Sequence, residues 1–597
     1  MTEWILKNKK ADIGKMEQEL GLCPAVCKVL ANRGITETSQ ARVYLHPKQG
    51  TLQDASLLKN AEAAAKLLLC SIREGEPIRI IGDYDVDGVM ATFLLYKVLH
   101  VLGATVDYRI PDRIADGYGM NMRMVEEAEQ DKIALLLTCD NGIAAAEPIS
   151  RAKKSGMKVI VTDHHEIPNH IEGDMICYDL PSADVIVNPK QPGETYPQPG
   201  ICGAMVAYKV ASLLLQEAVG LITQEEREEL LSELLVPVAF ATVCDVMELT
   251  GENRSVVAQG LDRAPYCRNA GIRSLLKAYD LEEKKLTAYH AGFLIGPCFN
   301  AAGRLDTALL GLELLLCENA DEAVERAIKL KELNDVRKEM TAEAVRQATV
   351  LAKEKLAGKE LQVLVIYLPD CHESLAGIVA GRLREAFYLP TIVLTKGESC
   401  VKGSGRSIEG YSMYEKLSEQ KELFLAFGGH PMAAGVSLEE ENVLILEERL
   451  NAAAGLTKEE MTPKLYLDAV LPFSGISDRL MEELEQLEPF GNGNSKPVFA
   501  QSGVKIWGMR RIGKDGSSLR LKLTDGAGTT LTGLYFHGAD EFEQYVTEEM
   551  GEDTVRQLYR ERTFVQMTLA FEPSMNEYQG IKSPQVVVQA YKKYVTT

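Results

Sequence analysis

The sequence has no uninterrupted apolar stretch of about 18–20 residues, the length that a membrane-spanning helix needs. Its first residues, Met1 to Ile5, lack the basic and apolar regions of a secretory signal. The 12 cysteines form no Cys-x-x-Cys pair, and none follows Cys400. These absences argue against a disulfide framework and against a paired-cysteine zinc site. We therefore expect a soluble, cytoplasmic chain with reduced thiols and no membrane contact.

Basic residues are fewer than acidic ones. The sequence has 65 Lys and Arg and 86 Asp and Glu, which gives a net charge of −21. This balance excludes a protein coated with basic surface. It does not exclude a local basic groove, because phosphates respond to nearby potential more than to total charge. The length of 597 residues exceeds one ordinary domain, and 46% apolar residues supply several large cores.

Short apolar runs alternate with helix-length segments from about residue 76. This alternation is typical of a parallel sheet covered by helices, whose ligands lie beyond the carboxyl ends of the strands. The predicted strands cover residues 78–81, 133–137, 158–161 and 185–187, and the predicted helices between them cover residues 89–102 and 144–154. Acidic motifs follow several of these strands, which is the first indication that they act together.

The remaining chain divides by its glycine, proline and charge pattern. Neither glycine nor proline occurs between Gly311 and Gly358, and charges are dense there, which predicts two helices, the second beginning near Asn319. A strand at residues 363–368, a helix at 375–387 and a strand at 391–395 predict a second α/β region. From Pro497 onward, short β-rich runs separated by Asp-Gly turns predict a small antiparallel barrel.

The predicted fold is therefore α/β, with a parallel-sheet domain, a helical stalk, a second α/β domain and a C-terminal β-barrel of the oligonucleotide-binding (OB) kind. The predicted parts are an N-terminal helical segment (residues 1–75), a catalytic domain (76–310), a helical connector (311–358), a substrate-binding domain (359–460) and a nucleic-acid-binding barrel (461–597).

Three aspartates, Asp83, Asp85 and Asp87, occupy alternate positions directly after a predicted strand. Their charges would repel one another in a compact structure, and a divalent cation is the usual neutralising agent. The alternatives are a solvated turn and a calcium loop. The bidentate glutamate of an EF-hand is missing, because Leu94 stands six residues after the glycine of the motif.

Three more motifs carry metal-ligand side chains. Asp140, in Asp-Asn-Gly, and Asp163, followed by His164 and His165, come after predicted strands, and Asp245 lies inside an apolar segment. Alone, Asp-Asn-Gly is most often a turn and a histidine is most often structural. Together, carboxylates and imidazoles at one sheet edge suit two Mn²⁺ or Mg²⁺ ions and metal-dependent phosphoryl transfer.

These four motifs resemble, in order, those of the DHH phosphoesterases. Further motifs are similar to one branch, the RecJ-type single-strand-specific exonucleases, over roughly residue 20 to the C-terminus. They lie at residues 108–113, 117–119, 296–305, 403–407, 428–430 and 489–491. The resemblance implies a 5′→3′ exonuclease of DNA repair and recombination, which hydrolyses single-stranded DNA to mononucleotides. Its implied partners are single-stranded DNA with a 5′ end, a single-strand-binding protein and a helicase.

The resemblance also implies roles for individual residues. The metal ligands would be Asp83, Asp85, Asp87, Asp140, His164 and Asp245. Asp140 would bridge two ions, although the motif leaves open which first-motif aspartates bind directly. His165 would contact the scissile phosphate or assist the leaving oxygen, and Asp163 would orient a neighbouring histidine. The substrate contacts would be Arg109, Arg113, Asn300, Arg304, Ser404, Arg406 and His430.

A basic segment near the C-terminus supports a nucleic-acid substrate independently. Seven basic residues and one acidic residue lie between Lys496 and Lys522, with Trp507 among them, which is typical of single-strand binding by charge and stacking. A solvated basic face is the alternative interpretation. The rival functions are a small-molecule DHH phosphatase, which needs no barrel, and a non-catalytic DNA-binding scaffold, which would have lost metal ligands.

Overall fold

The structure is a computed structural model that describes residues 2–173, 175–578 and 580–594. Residue 1 and residues 595–597, at the ends of the first and last predicted parts, lie outside the described residues. Within those described ranges, no helix has both the length and the apolar character needed to span a membrane. Separate apolar cores underlie the two α/β domains and the barrel.

The N-terminal residues pack against the far end of the chain. They form β1 Glu3–Leu6, α1 Ile13–Leu20, α2 Pro24–Asn32 and α3 Thr38–Leu45. Strand β1 pairs in parallel with residues 464–467. Met16, Val26 and Leu30 share one buried core with side chains of the C-terminal barrel. The first 45 residues are thus part of the barrel's packing.

A five-stranded parallel sheet forms the centre of the first α/β domain. The strands of this region are β2 Ile78–Ile81, β3 Val106–Arg109, β4 Leu135–Cys139, β5 Lys158–Thr162, β6 Asn169–Glu172, β7 Met175–Tyr178 and β8 Val185–Val187. The sheet order is β3-β2-β4-β5-β8, and β6 and β7 form a separate hairpin. Every neighbouring pair in the sheet is parallel, which confirms the predicted arrangement. Strand β3 is an addition to the predicted set.

Helices cover the sheet and extend the domain. They are α4 Ala61–Glu74, α5 Val86–Val101, α6 Met122–Gln130, α7 Ala146–Lys154, α8 Gly203–Glu217, α9 Gln224–Cys244, α10 Gly251–Arg263, α11 Ala270–Ala278, α12 Gly296–Leu305 and α13 Leu309–Leu316. A π-helical turn, His290–Ile295, leads into α12. Helix α5 is buried on most of its surface because it lies between the sheet and helices α8 and α9.

A single long helix, α14 Ala320–Gly358, links the two α/β domains. It begins where the sequence predicts, because the side chain of Asn319 accepts hydrogen bonds from the backbone N–H groups of Asp321 and Glu322. Its 39 residues span about 58 Å. Ala323 and Ala327 pack into the core of the first α/β domain, whereas Ala348 packs into the second domain.

The second domain is a five-stranded mixed sheet with helices. Its elements are β9 Leu364–Tyr367, α15 Ala376–Phe387, β10 Thr391–Lys396, β11 Val401–Arg406, α16 Met413–Ser418, β12 Phe424–His430, β13 Ala433–Leu438 and α17 Asn442–Ala453. The sheet order is β12-β13-β11-β10-β9, with only β9 and β10 parallel.

The C-terminal part is a closed barrel, as predicted. Its elements are β14 Lys464–Leu467, β15 Ala469–Val470, α18 Asp478–Glu485, β16 Phe499–Ile512, β17 Ser518–Thr524, β18 Thr530–Tyr535, α19 Ala539–Met550, α20 Glu552–Tyr559, β19 Val565–Tyr578 and β20 Ile581–Lys593. Pairing of β16 with β19 closes it. Among strands β16 to β20 the barrel is antiparallel as expected except at one pair, because the β19–β20 hairpin inserts β20 beside β18 in parallel.

Candidate metal centre and nucleic-acid cleft

The acidic motifs converge at one edge of the parallel sheet. Asp83 follows β2, Asp140 follows β4 and His164 follows β5, so neighbouring parallel strands deliver them to the same place. Asp245 joins them from the C-terminal end of α9. The Nε2 atom of His164 lies 3.1 Å from Oδ1 of Asp140, 3.6 Å from Oδ2 of Asp245 and 3.7 Å from Oδ2 of Asp87.

The ligand atoms fall into overlapping groups, each within 4.8 Å. One group is Asp87, His164 and Asp245; another is Asp83, Asp85 and Asp140; a third joins Asp140 to His164 and His165. Asp140 belongs to two of these groups. The arrangement therefore has room for two ions with Asp140 between them.

Four buried atoms of this cluster make no hydrogen bond of acceptable geometry within the described part of the chain, although two of them lie 3.1 Å apart. They are Oδ1 of Asp83, Oδ1 of Asp140, Nε2 of His164 and Oδ2 of Asp245. Buried polar groups are normally paired, so four orphans in one place indicate a missing partner. Carboxylate oxygens with one imidazole suit Mn²⁺ or Mg²⁺, and the residues fit the ions that the sequence predicts.

The protonation equilibria of the cluster show how strongly its charges oppose one another. Burial and the charge of Asp85 raise the pKa of Asp83 to about 8. Burial, followed by the charges of Asp87 and Asp85, raises the pKa of Asp245 to about 8. Burial also lowers the pKa of His164 to about 3. A divalent cation would relieve both the repulsion and the desolvation.

The backbone around Asp140 is fitted tightly to its position. Asp140 has a left-handed φ of 61°, which is uncommon for a non-glycine residue. The side chain of Asn141 holds the turn by donating to the carbonyls of Ile81 at 3.0 Å and Cys139 at 2.9 Å. Gly203 packs so closely that a Cβ there would lie 2.6 Å from the Cβ of Asp140. Asp-Asn-Gly is thus both a turn and part of the site.

The three aspartates of the first motif have different surroundings. The carboxylate of Asp87 accepts hydrogen bonds from the backbone N–H groups of Gly203 at 2.6 Å and Ala204 at 2.7 Å, at the N-terminus of α8. Burial, followed by the charge of Asp85, raises the pKa of Asp87 to about 6, and the two hydrogen bonds from α8 oppose that rise because helix N-termini favour carboxylates. Asp85 caps α5 by accepting from the N–H of Gly88 at 3.1 Å. Of the three, Asp83 has the unpartnered buried oxygen.

His165 stands beside the ligands with its own support. Its Nδ1 lies 2.8 Å from Oδ1 of Asp163. Burial alone would lower the pKa of His165, but the hydrogen bond and charge of Asp163 raise it to about 9. The hydroxyl of Tyr118 donates to the backbone oxygen of Asp140 at 2.7 Å and lies 2.9 Å from Nδ1 of His165. Sequence reasoning missed Tyr118, for which the Gly-Tyr-Gly motif at residues 117–119 was the only sign.

Arginines gather in the cleft between the two α/β domains. Burial, and then the charges of Arg113, Arg337 and Arg406, lower the pKa of Arg304 to about 9. Nη1 of Arg113 is buried without a partner within the described ranges, and Nη1 of Arg304 donates to the backbone oxygen of Ser374. The clustered positive charge gives this cleft a potential that favours anions.

The second domain contributes its own side of that cleft. Nη1 of Arg406 donates to Oγ of Ser404 and to the backbone oxygen of Gly405, each at 2.8 Å, and neither partner is charged. A cavity of about 540 Å³ lies between the domains, lined by Tyr84 and Arg113 on one side and Lys402 on the other. Arg337, on the connecting helix α14, was not predicted because it lies in a charge-dense helix.

Three predicted substrate contacts have other surroundings. Arg109 ends β3 and lies 3.5 Å from Glu127 and 3.7 Å from Asp131, so its charge is partly compensated. Asn300 lies in α12, four residues before Arg304. His430 ends β12 with its side chain exposed.

The barrel presents an exposed aromatic platform. Trp507 is 39% and Phe564 is 41% exposed, their ring centroids are 4.6 Å apart, and Nζ of Lys505 lies 4.9 Å from the Phe564 centroid. Two of the seven basic residues that the sequence singled out are neutralised instead. Arg511 pairs with Asp540 and Glu543, and Lys522 pairs with Glu561.

Three family models match the chain. The model of the DHH family N-terminal domain matches residues 77–242, the DHHA1 domain matches residues 360–459, and the RecJ OB domain matches residues 467–590. These matches cover the parallel-sheet domain, the second α/β domain and the barrel in turn.

Curated relatives and solved structures point the same way. The single-stranded-DNA-specific exonuclease RecJ of Bacillus subtilis is 32% identical over 98% of this chain and 70% of its own length. That of Escherichia coli is also 32% identical, over 95% of both chains. The crystal structure of RecJ in complex with Mn²⁺ from Thermus thermophilus superimposes with a TM-score of 0.79 and 28% identity, covering 100% of this chain and 80% of that one.

Proposed function

Because the chain belongs to the RecJ family, we propose that it is a single-stranded-DNA-specific 5′→3′ exonuclease of DNA repair and recombination. It hydrolyses phosphodiester bonds and releases mononucleotides. The observation that carries the proposal is the set of four buried, unpartnered ligand atoms beside an arginine-lined cleft. Metal-bound RecJ structures from Thermus thermophilus, with Mn²⁺ and with Mg²⁺, support the choice of ions.

The proposed roles follow from the geometry. Asp83, Asp140, His164 and Asp245 would hold two divalent ions, Asp140 would contribute to both, and Asp85 and Asp87 would complete the ligand groups. Bound there, the ions supply Lewis-acid activation and charge compensation for an in-line displacement. Asp163 engages Nδ1 of His165, which leaves the Nε2 proton of a cationic imidazole for a phosphate oxygen.

Polarity is proposed to arise in the arginine cleft. A terminal phosphate carries more charge than an internal one, so a group of uncompensated arginines favours an end over a continuous strand. Arg113, Arg304 and Arg406, with Ser404, form this end-binding site, and Arg337 adds to its potential. Arg109, Asn300 and His430 are proposed contacts for the rest of the strand.

Two partner proteins are proposed to supply the substrate to the metal centre. Single-stranded DNA with a 5′ end is the substrate, produced by a helicase and carried by a single-strand-binding protein. The barrel, with Trp507, Phe564 and Lys505, holds the strand beyond the metal centre by stacking and charge. A cytoplasmic location accords with 12 free cysteines.

End-labelled DNA tests the proposal. Single strands and duplexes carrying a label at either the 5′ or the 3′ end are incubated with the purified chain and Mn²⁺, and products are followed over time. We expect early release of 5′-labelled mononucleotide from single strands only, and none after chelation. Early release from the 3′ end, internal fragments or preferential attack on duplexes would contradict the proposal. Asp140→Ala serves as the inactive control.

A further inference from the structure

The loop that follows the metal ligand Asp245 is held in a costly conformation. Val246 has a φ of 57°, in the left-handed region, where a β-branched side chain is a genuine outlier. Its side chain is 64% exposed, so burial of that side chain does not stabilise this conformation. A residue in such a conformation persists only when its surroundings impose it. Part of the support is local: at the end of α9 the backbone N–H of Val246 donates to the carbonyl oxygen of Val243 at 3.2 Å, and that of Met247 to the carbonyl oxygen of Thr242 at 3.1 Å. Further contacts come from outside the loop.

Those contacts come from the linker ahead of the barrel, residues 488–494. Nδ2 of Asn492 donates to the carbonyl oxygen of Val246 at 2.8 Å. In return, the backbone N–H of Leu249 donates to the carbonyl oxygen of Asn492 at 2.8 Å. The two strands of chain lie so close that a Cβ at Gly491 would be 2.7 Å from Cδ1 of Leu249. A Cβ at Gly493 would be 3.1 Å from the Cβ of Glu248.

The linker is itself fixed to the molecule on its other side. The buried guanidinium of Arg254 donates to the carbonyl oxygens of Glu488 at 2.7 Å and Pro489 at 3.3 Å, and it stacks 3.9 Å over the ring of Tyr44. Nδ2 of Asn494 donates to the carbonyl of Pro489 at 2.7 Å, and its Oδ1 accepts from the hydroxyl of Tyr44 at 2.6 Å. The linker is thus held in place by contacts that do not involve the loop after Asp245.

We propose that residues 488–494 act as a clasp that positions Asp245, so that the linker to the barrel sets the affinity of the metal centre. Asn492 is a positioning residue that acts through Val246. The inference rests on the metal centre proposed above. Oδ2 of Asp245 lies 3.6 Å from Nε2 of His164, close enough for both atoms to bind one ion, and Val246, which follows Asp245 directly, is the residue that Asn492 holds.

Asn492→Ala tests the clasp in the full chain. The protein is stripped with chelator and titrated with Mn²⁺, and free ion is followed by electron paramagnetic resonance. Loss of one hydrogen bond should weaken Mn²⁺ binding by about two- to tenfold. At saturating Mn²⁺ the kcat should return towards wild type, and binding of single-stranded DNA without metal should be unchanged.

Two further variants separate positioning from general destabilisation. Asn451→Ala is the matched control, because Nδ2 of Asn451 also donates to a distant backbone oxygen, that of Val363 at 2.9 Å, but in the second domain. It should lower the melting temperature and leave the Mn²⁺ affinity alone. Val246→Gly should restore Mn²⁺ affinity in the Asn492→Ala background, since glycine adopts the left-handed conformation at no steric cost.

The outcomes distinguish the two proposals. Wild-type Mn²⁺ affinity in Asn492→Ala, or an equal loss in Asn451→Ala, would overturn the clasp while leaving the metal centre intact. Failure of Val246→Gly to restore affinity would show that Asn492 does not act through the loop, which also overturns it. A wild-type chain that binds no Mn²⁺ would instead overturn the proposed function.

Discussion

At the scale of single residues, Asp140 meets more constraints than any neighbour in the cluster. It combines a left-handed backbone, contact with Gly203 and a carboxylate shared by two ligand groups. Burial, and then the charges of the surrounding aspartates, raise its pKa well above the usual value. The negative charge of Asp140 therefore destabilises the metal-free protein, whereas metal binding requires it.

Asp140→Asn should abolish hydrolysis. A neutral amide binds divalent ions more weakly than a carboxylate does, and loss of a shared ligand disables both ions together. The same change should raise the melting temperature of the metal-free protein, since it removes one of several repelling charges. Turnover at saturating Mn²⁺ and thermal melts in chelator check the two parts. Near-normal turnover by the metal-saturated variant would refute the bridging role.

Arg406→Ala should reduce the preference for 5′-phosphorylated over 5′-hydroxyl strands. The lost charge-assisted contact is worth about 1.5–3 kcal/mol. Competition between the two strand types, with Mn²⁺ saturating, measures the preference. Arg449→Ala is the control, because Arg449 lies in the same domain and pairs with Glu422 at the surface. An unchanged ratio in Arg406→Ala would mean that the 5′ end is bound elsewhere.

At the scale of elements, helix α8 supports the site through its first residues. Its N-terminal N–H groups hold Asp87, and Gly203 leaves space for Asp140. Gly203→Ala should therefore displace Asp140 and weaken Mn²⁺ binding, measured by titration of the stripped protein. Gly381→Ala, in α15 with no atom within 4 Å of the added Cβ, should bind Mn²⁺ like wild type. Equal affinities for all three proteins would show that the site tolerates the methyl group.

The metal-free centre should also make stability depend on pH. The pKa values of Asp83 and Asp245 rise to about 8 on folding, from about 3.9 in the unfolded chain. At these two carboxyls the folded state then binds more protons, so their contribution to stability is greatest at low pH and is lost as pH rises from about 4 to about 8. Melts in chelator should show this fall, and Mn²⁺ should remove it. A flat profile in chelator would contradict the crowded-carboxylate description.

The strands and the four motifs could be predicted because each depends on local periodicity and on the rule that parallel strands end together. Tyr118, Arg337 and Asn492 could not be predicted in their roles. Each acts across a contact between segments far apart in the chain, as Asn492 does with Val246. Arg511 pairs with Asp540 and Glu543 of α19, and Lys522 pairs with Glu561 just beyond α20, so these ion pairs compensate charges that composition assigned to DNA.

At the scale of the whole molecule, the barrel packs against the N-terminal helices, and the linker ahead of it contacts the loop that follows Asp245. The barrel's contribution to affinity is best tested by Lys505→Ala and Trp507→Ala, since removal of residues 461–597 would expose the core shared with α1 and α2. Both variants should weaken binding to long strands, and Lys505→Ala should flatten the salt slope by about 0.7. Cleavage of very short oligonucleotides should be unaffected. An unaltered salt slope would mean that Lys505 makes no phosphate contact.

The parallel pairing of β1 with β14 has a consequence for biosynthesis. Glu3 is translated well before its partner Lys464, which lies 461 residues further along the chain. At roughly 5–20 residues per second, the N-terminal strand waits on the order of 20 to 90 seconds with an open edge. Nascent chains in neighbouring polysomes can pair through such edges. The four-residue length of β1 limits that risk during translation.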